Sequence, residues 1–252
     1  MITFRTAKQC GHADYGWLQA RYTFSFGHFF DPQMLGYASL RVLNQEVLAV
    51  GAAFQPRAYP SVDILNLILQ GQAEYRDSEG RHIQVATGDA LLLAAQAGVT
   101  YSEQNIGSTP LTRLQLWMDA CPSRENAGVQ RLALSDQPHL LLASPDGEDG
   151  SLQLRQQAWV HHVRLEAGQS LMLELKGSRA YLQSVHGTIN IDSPLETAPP
   201  PRHGGASQGD SADGAANPTL LTCGDGAFIH NERRVRLRAQ TPLRALLIDL
   251  AD

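Results

Sequence analysis

The chain has 252 residues, 43% of them hydrophobic, and a net charge of −5 at pH 7. Such a composition excludes wholesale disorder and supplies a packed core for two ordinary domains or one large all-β domain. The acidic balance excludes a general attraction to phosphate backbones or anionic lipid, so neither nucleic acid nor a membrane is an expected direct partner. Three cysteines, Cys10, Cys121 and Cys223, are far apart and form no CxxC pair. They argue against a disulfide framework or a zinc–thiolate site and fit a reducing compartment. MITFRTAKQCGHADYG contains no apolar signal core, and no run approaches membrane-spanning length, so the expected location is the cytoplasm.

Periodicity two dominates from start to finish. Residues 36–43, 62–69, 73–77, 82–86, 111–118, 151–156, 170–176 and 234–240 alternate or run apolar in strand-length pieces. Gly, Pro, Asn or Asp separates most of them, and no amphipathic helix of three turns is evident. Short strands at regular spacing predict a sandwich or barrel. The pattern also repeats. ILNLILQGQAEY, with Gly71, is followed by TGDALLL, with Gly88; YLQSVHGTINI, with Gly187, is followed by CGDGAFI, with Gly224. The glycines of the second copy stand farther apart, and the extra residues are SPLETAPPPRHGGASQGDSADGAANPT (193–219). That segment is rich in Pro, Gly, Ala, Ser and Asp and reads as a flexible hairpin extension. The polar, turn-rich DACPSRENAGVQ places the boundary between copies near residues 119–130. The expected units are 1–125 and 126–252.

Two tandem small barrels with this glycine pattern resemble a bicupin. GHADYGWLQARYTFSFGHFFDP (11–32), GYASLRVLN (36–44) and LLASPDGEDGSL (141–152) resemble, more narrowly, the signatures of the pirin family. The resemblance covers nearly the whole chain except 193–219. It implies two cupin (double-stranded β-helix, jelly-roll) barrels packed face to face, with one iron-like metal held in the N-terminal barrel by three His and one Glu. It also implies a quercetin-dioxygenase activity in some members and protein partners, including transcription regulators, for others. The family's first motif is Gly, five residues, His-x-His, three residues, then an acid. Here Gly51 leads to Arg57, Tyr59 and Asp63. The second motif, His-x-Glu-x-Asn, becomes Tyr101, Ser102, Glu103, Gln104 and Asn105. Of the four ligand positions only Glu103 remains ligand-like.

An iron site wants imidazole nitrogens and carboxylate oxygens on convergent strands. Arg57 has no lone pair to donate, and the phenols of Tyr59 and Tyr101 must ionise before they ligate. The expectation is a cup without metal, in which the Arg57 guanidinium stands in for the cation and pairs with Glu103, while Tyr59, Tyr101 and Asp63 fill the rest. Three outcomes stay open: a collapsed site without a ligand, a pocket for a small aromatic or carboxylate ligand, and an oxygenase that recruits Fe at a degenerate site. The matching function is a non-enzymatic small-molecule-binding or regulatory, protein-interaction role; the alternative is a quercetin 2,3-dioxygenase-like metal-dependent oxygenase.

The repeat maps the cup positions of the second copy onto Leu173, Leu175, Arg179, Leu237 and Ala239, which predicts an apolar core there. His161 and His162 are adjacent on a predicted strand, so they face opposite ways and read as a surface or satisfied core pair. His12 and His28 read as capping or core hydrogen-bonding residues, and His203 as exposed. Arg234, Arg236 and Arg238 form one basic face, read as a solvated edge or an acidic partner's docking face.

Overall fold

The computed structural model describes residues 1–125, 127–193 and 220–251. The first half runs β1 (Ile2–Arg5), β2 (Gly11–Asp14), β3 (Leu18–Tyr22), β4 (Leu40–Leu48), β5 (Ala53–Ala58) and β6 (Val62–Gln70), then β7 (Gln72–Asp77), β8 (His82–Ala86), β9 (Asp89–Ala94), β10 (Thr100–Asn105) and β11 (Leu111–Asp119). The second half continues with β12 (Val129–Ala133), β13 (His139–Ser144), β14 (Leu152–Gln153), β15 (Ala158–Leu165), β16 (Ser170–Glu174) and β17 (Arg179–His186). It closes with β18 (Ile189–Asp192), β19 (Leu220–Leu221), β20 (Gly226–His230), β21 (Arg234–Ala239) and β22 (Leu243–Leu250).

Each half pairs a seven-stranded sheet with a four-stranded one. The N-terminal barrel has β12-β9-β6-β11-β4-β3-β2 against β5-β10-β7-β8; the C-terminal barrel has β1-β20-β17-β22-β15-β13-β14 against β16-β21-β18-β19. The two large sheets pack on each other, and the pleat explains how. In β6, Leu65 and Leu67 point to the shared seam, where they meet Tyr181, Leu246 and Ile248 of the second barrel. Ile64 and Ile68, one position out of phase, point into their own barrel. Large sheets buried on both faces account for the mostly apolar VDILNLIL, whose Asp63 and Asn66 are buried as well.

The barrels exchange strands. β1 pairs with β20, Ile2 opposite Ile229, and so lies in the C-terminal sheet. β12 pairs with β9, Val129 opposite Leu93, and so lies in the N-terminal sheet. By sheet membership β1 goes with the second set of strands and β12 with the first, across the boundary expected between residues 125 and 126. A boundary drawn from turn-rich composition cannot detect a strand that crosses over.

The internal repeat is physical. Gly71 and Gly187 both turn one strand back into the next with left-handed backbone, φ 90° and 80°. A Cβ at Gly71 would sit 2.9 Å from the Pro110 carbonyl oxygen, and one at Gly187 would sit 2.1 Å from that of Pro242. The same glycine-over-proline approach therefore occurs in both barrels. The 193–219 segment lies outside the described residues apart from Ser193. The second barrel is apolar inside, as expected: Leu173, Leu237 and Ala239 are buried and Leu175 packs against them. Arg179, at the start of β17, is exposed instead. Arg234, Arg236 and Arg238 do form a solvated face, but β21 lies between β16 and β18 and is no edge. His12 and His28 are exposed rather than part of the core.

Candidate functional site

The N-terminal barrel is not lined by hydrocarbon alone. The central strands β4, β6 and β11 send Asn44, Glu46, Asn66, Arg113 and Gln115 to its inside, and all five are buried. Arg113 is the hub. Its Nε and Nη2 donate to Glu46 Oε2 at 3.0 and 2.7 Å, and its Nη1 donates to the Tyr75 hydroxyl at 2.9 Å and Asn66 Oδ1 at 3.2 Å. The same Nη1 forms a short ion pair with Glu103. Tyr75 in turn donates to Glu103 Oε1 at 2.9 Å. One fully buried guanidinium thus holds two buried carboxylates, Glu46 and Glu103.

This arrangement corrects the expected pairing. Glu103 is neutralised from beneath by Arg113 on the neighbouring large sheet, not by Arg57. Arg57 is exposed, on β5 at the edge of the small sheet. Its Nε donates to the Tyr59 hydroxyl at 2.8 Å, and its guanidinium carbon lies 4.5 Å from the Phe54 ring centre. The register explains the swap. Tyr101 pairs with Arg57, but a bulge between Tyr101 and Glu103 leaves Phe54 opposite Glu103. The Phe54 ring, also 5.6 Å from the Arg113 guanidinium carbon, takes the place beside the acid.

Asp63 is not in the cup. β5 ends at Ala58, so the alternation of Arg57 does not carry across the turn into β6. Within β6, Asp63 is in phase with Leu65 and Leu67 and faces the seam. There it accepts from the Arg155 backbone N–H at 2.6 Å and from Arg155 Nε at 2.8 Å. The Nη2 of Arg155 caps the carbonyls of Val62 and Ala95 at 2.9 and 2.8 Å. Burial pushes the Asp63 carboxyl up, and Arg155 opposes that shift.

The mouth of the cup is aromatic. The Tyr59 ring lies 6.0 Å from that of Tyr101 and 5.3 Å from that of Trp117, and Phe54 meets Trp17 edge-on at 5.1 Å. A polar chain runs inward from it: Trp117 Nε1 donates to Gln115 Oε1, and Gln115 Nε2 donates to Asn66 Oδ1, each at 2.9 Å. Burial raises the phenols of Tyr59, Tyr101 and Tyr75, the last one well above its ordinary value. Burial likewise raises the Glu103 carboxyl, with Arg113 acting against it.

These residues do not fit a divalent metal. Glu103 is engaged by Arg113 and Tyr75, Arg57 cannot donate an electron pair, and raised phenols resist becoming phenolates. Among the described residues, no group of three His, Cys, Asp or Glu comes together that could hold an ion.

Two face-to-face jelly-roll barrels with one polar interior define a bicupin. The family model described as Pirin matches residues 3–118, and the one described as Quercetinase C-terminal cupin domain matches residues 141–204. The chain is 61% identical over 251 residues to the pirin-like protein YhaK of Escherichia coli (strain K12), covering 99% of each. It is 30% identical over 257 residues to a quercetin 2,3-dioxygenase of the same organism, again covering 99% of each. The crystal structure of the bacterial pirin YhhW from Escherichia coli in complex with nickel(II) superposes with a TM-score of 0.85 at 27% identity, covering 100% of this chain and 99% of that one. The chain belongs to the pirin family. Among the described residues no helix is long and apolar enough to cross a membrane.

Sequence reasoning found Arg57, Tyr59, Tyr101 and Glu103, which the fold brings to one cup. It missed Arg113, Glu46, Asn66 and Tyr75. The alternation of Asn44 with Glu46 in LRVLNQEVL and of Arg113 with Gln115 in LTRLQLWMD is visible in the sequence, but the face it occupies is not.

Proposed function

We propose that this pirin-family bicupin is a non-enzymatic binding module whose N-terminal mouth takes a small aromatic carboxylate. The observation that carries the reading is the division of labour between two arginines. Arg113 serves the buried acids. Arg57 is left exposed at the opening, with its one hydrogen bond among the described residues made to Tyr59. A ligand carboxylate would pair with the outward edge of that guanidinium, while its ring packs among Phe54, Tyr59 and Tyr101.

The test is titration of the protein with benzoate, followed by the emission of Trp17 and Trp117, which border the mouth. A saturable change in the wild type, lost in Arg57→Ala, supports the reading. No change in the wild type, or an equal one in the variant, removes it. A second reading, a metal-dependent dioxygenase, draws on the 30% identity to a protein named quercetin 2,3-dioxygenase. It requires stoichiometric iron, nickel or copper in protein purified without a metal-binding tag, together with turnover of quercetin.

A further inference from the structure

The seam between the barrels opens at one end into a cleft of about 630 Å³. The C-terminal sheet lays an unusual row of residues along it. Arg164 on β15 stands directly opposite Arg244 on β22, and Arg244 stands directly opposite His186 on β17. Three basic residues therefore lie side by side on one face of adjacent strands. Like charges so placed oppose each other, and burial, and then Arg164, lower the Arg244 pKa. The N-terminal wall supplies only neutral partners, among them Gln45, Thr87 and Thr112. Of the two acids on the lining, Asp136 is exposed and already paired with Arg164, and Glu166 is exposed.

His162 provides an independent observation. It is fully buried on the cleft wall, and its Nε2 accepts from Arg244 Nε at 2.9 Å. The proton of this ring is therefore on Nδ1, and burial keeps the ring neutral, with its pKa lowered to about 3. That Nδ1–H has no partner among the described residues. His162 also fixes the plane of the Arg244 guanidinium through Nε, which leaves the two terminal nitrogens as a fork for a planar oxyanion.

We propose that this cleft is a second binding site, for a small oxyanion-bearing molecule clasped between Arg164 and Arg244. The bound anion relieves the opposition of the two guanidinium groups on adjacent strands of the C-terminal sheet. His162 is a positioning residue that orients Arg244. The site is separate from the N-terminal mouth, so the two readings stand or fall independently.

The experiment is isothermal titration of the full chain at constant ionic strength with inorganic phosphate and, separately, with citrate, which distinguishes a phosphate from a carboxylate ligand. One of the two is expected to bind with one-to-one saturation. Arg244→Gln is expected to weaken it at least tenfold, as is the exposed Arg164→Gln, while the exposed Arg76→Gln on β7 leaves it unchanged. The unliganded melting temperature of Arg164→Gln is expected to match that of the wild type, because this side chain is exposed, so its loss of binding is not a loss of fold. Absence of saturable binding by either anion, or equal binding by both cleft variants and the wild type, overturns the proposal.

Discussion

Glu103 on β10 and Arg113 on β11 meet inside the N-terminal barrel, and the second carboxylate of the cluster, Glu46, holds the other side of the same guanidinium. The positive centre beside Glu103 comes from a strand of the large sheet, not from Arg57.

Removing that centre is expected to be severe. Arg113→Met strands two buried carboxylates, and breaking a buried pair costs about 3–5 kcal/mol. Arg57→Ala removes an exposed side chain and is expected to stay within about 0.5 kcal/mol. Urea unfolding of both variants measures the contrast; equal losses would return Arg57 to the centre of the cup.

The cluster has two acids for one base, which sets a pH dependence. The folded carboxyl of Glu103 is raised above its ordinary value of 4.5, chiefly by burial. The folded state therefore holds this proton more tightly than the unfolded chain, and the group costs stability above its folded pKa. That cost fades as pH falls toward 4.5. Glu103→Gln keeps acceptor contacts for Arg113 and Tyr75 and removes the titration. The variant is expected to be at least as stable as the wild type at pH 8, with the wild type gaining on it as the pH is lowered to 5. A difference that grows in the opposite direction would refute this assignment.

Asp63 and Arg155 tie the barrels across the seam. Asp63→Ala leaves Arg155 buried without its acid, and the expected loss is again about 3–5 kcal/mol. Arg155→Ala leaves the complementary defect. Because the residues share one interaction, the double variant should lose clearly less than the sum of the two. Additive losses in denaturant unfolding would mean that the pair is not coupled.

Gly187→Ala combines left-handed backbone with a collision, since its Cβ would lie 2.1 Å from the Pro242 oxygen. Gly80 has a similar φ of 87° but open space around a Cβ. Gly80→Ala should cost about 1–2 kcal/mol, the left-handed penalty alone, and Gly187→Ala distinctly more. Thermal unfolding of the two variants gives the comparison.

The barrels, the glycine turns and the apolar second interior were legible in the sequence because each rests on local pattern: period two, paired turns, leucines at the mapped positions. The cup was only half legible. Arg57 and Tyr101 could be placed by motif spacing, but Glu103's true partner is on a strand with no motif. Arg113 and Gln115 alternate with Leu114 and Leu116 much as an ordinary solvated face would. Only the position of β11 between β4 and β6 turns that face inward. Asp63 was misplaced for a related reason: the break after Ala58 resets the phase between β5 and β6.

The exchanged strand β1 bears on the order of assembly. Its partner β20 lies at the far end of the described chain, and a hydrogen bond from Met1 to the His230 carbonyl joins residues 229 apart. Ile2–Arg5 is made well before β20 and cannot join its sheet until β20 has left the ribosome. β1 therefore settles late, and the edge of the second large sheet is completed only then.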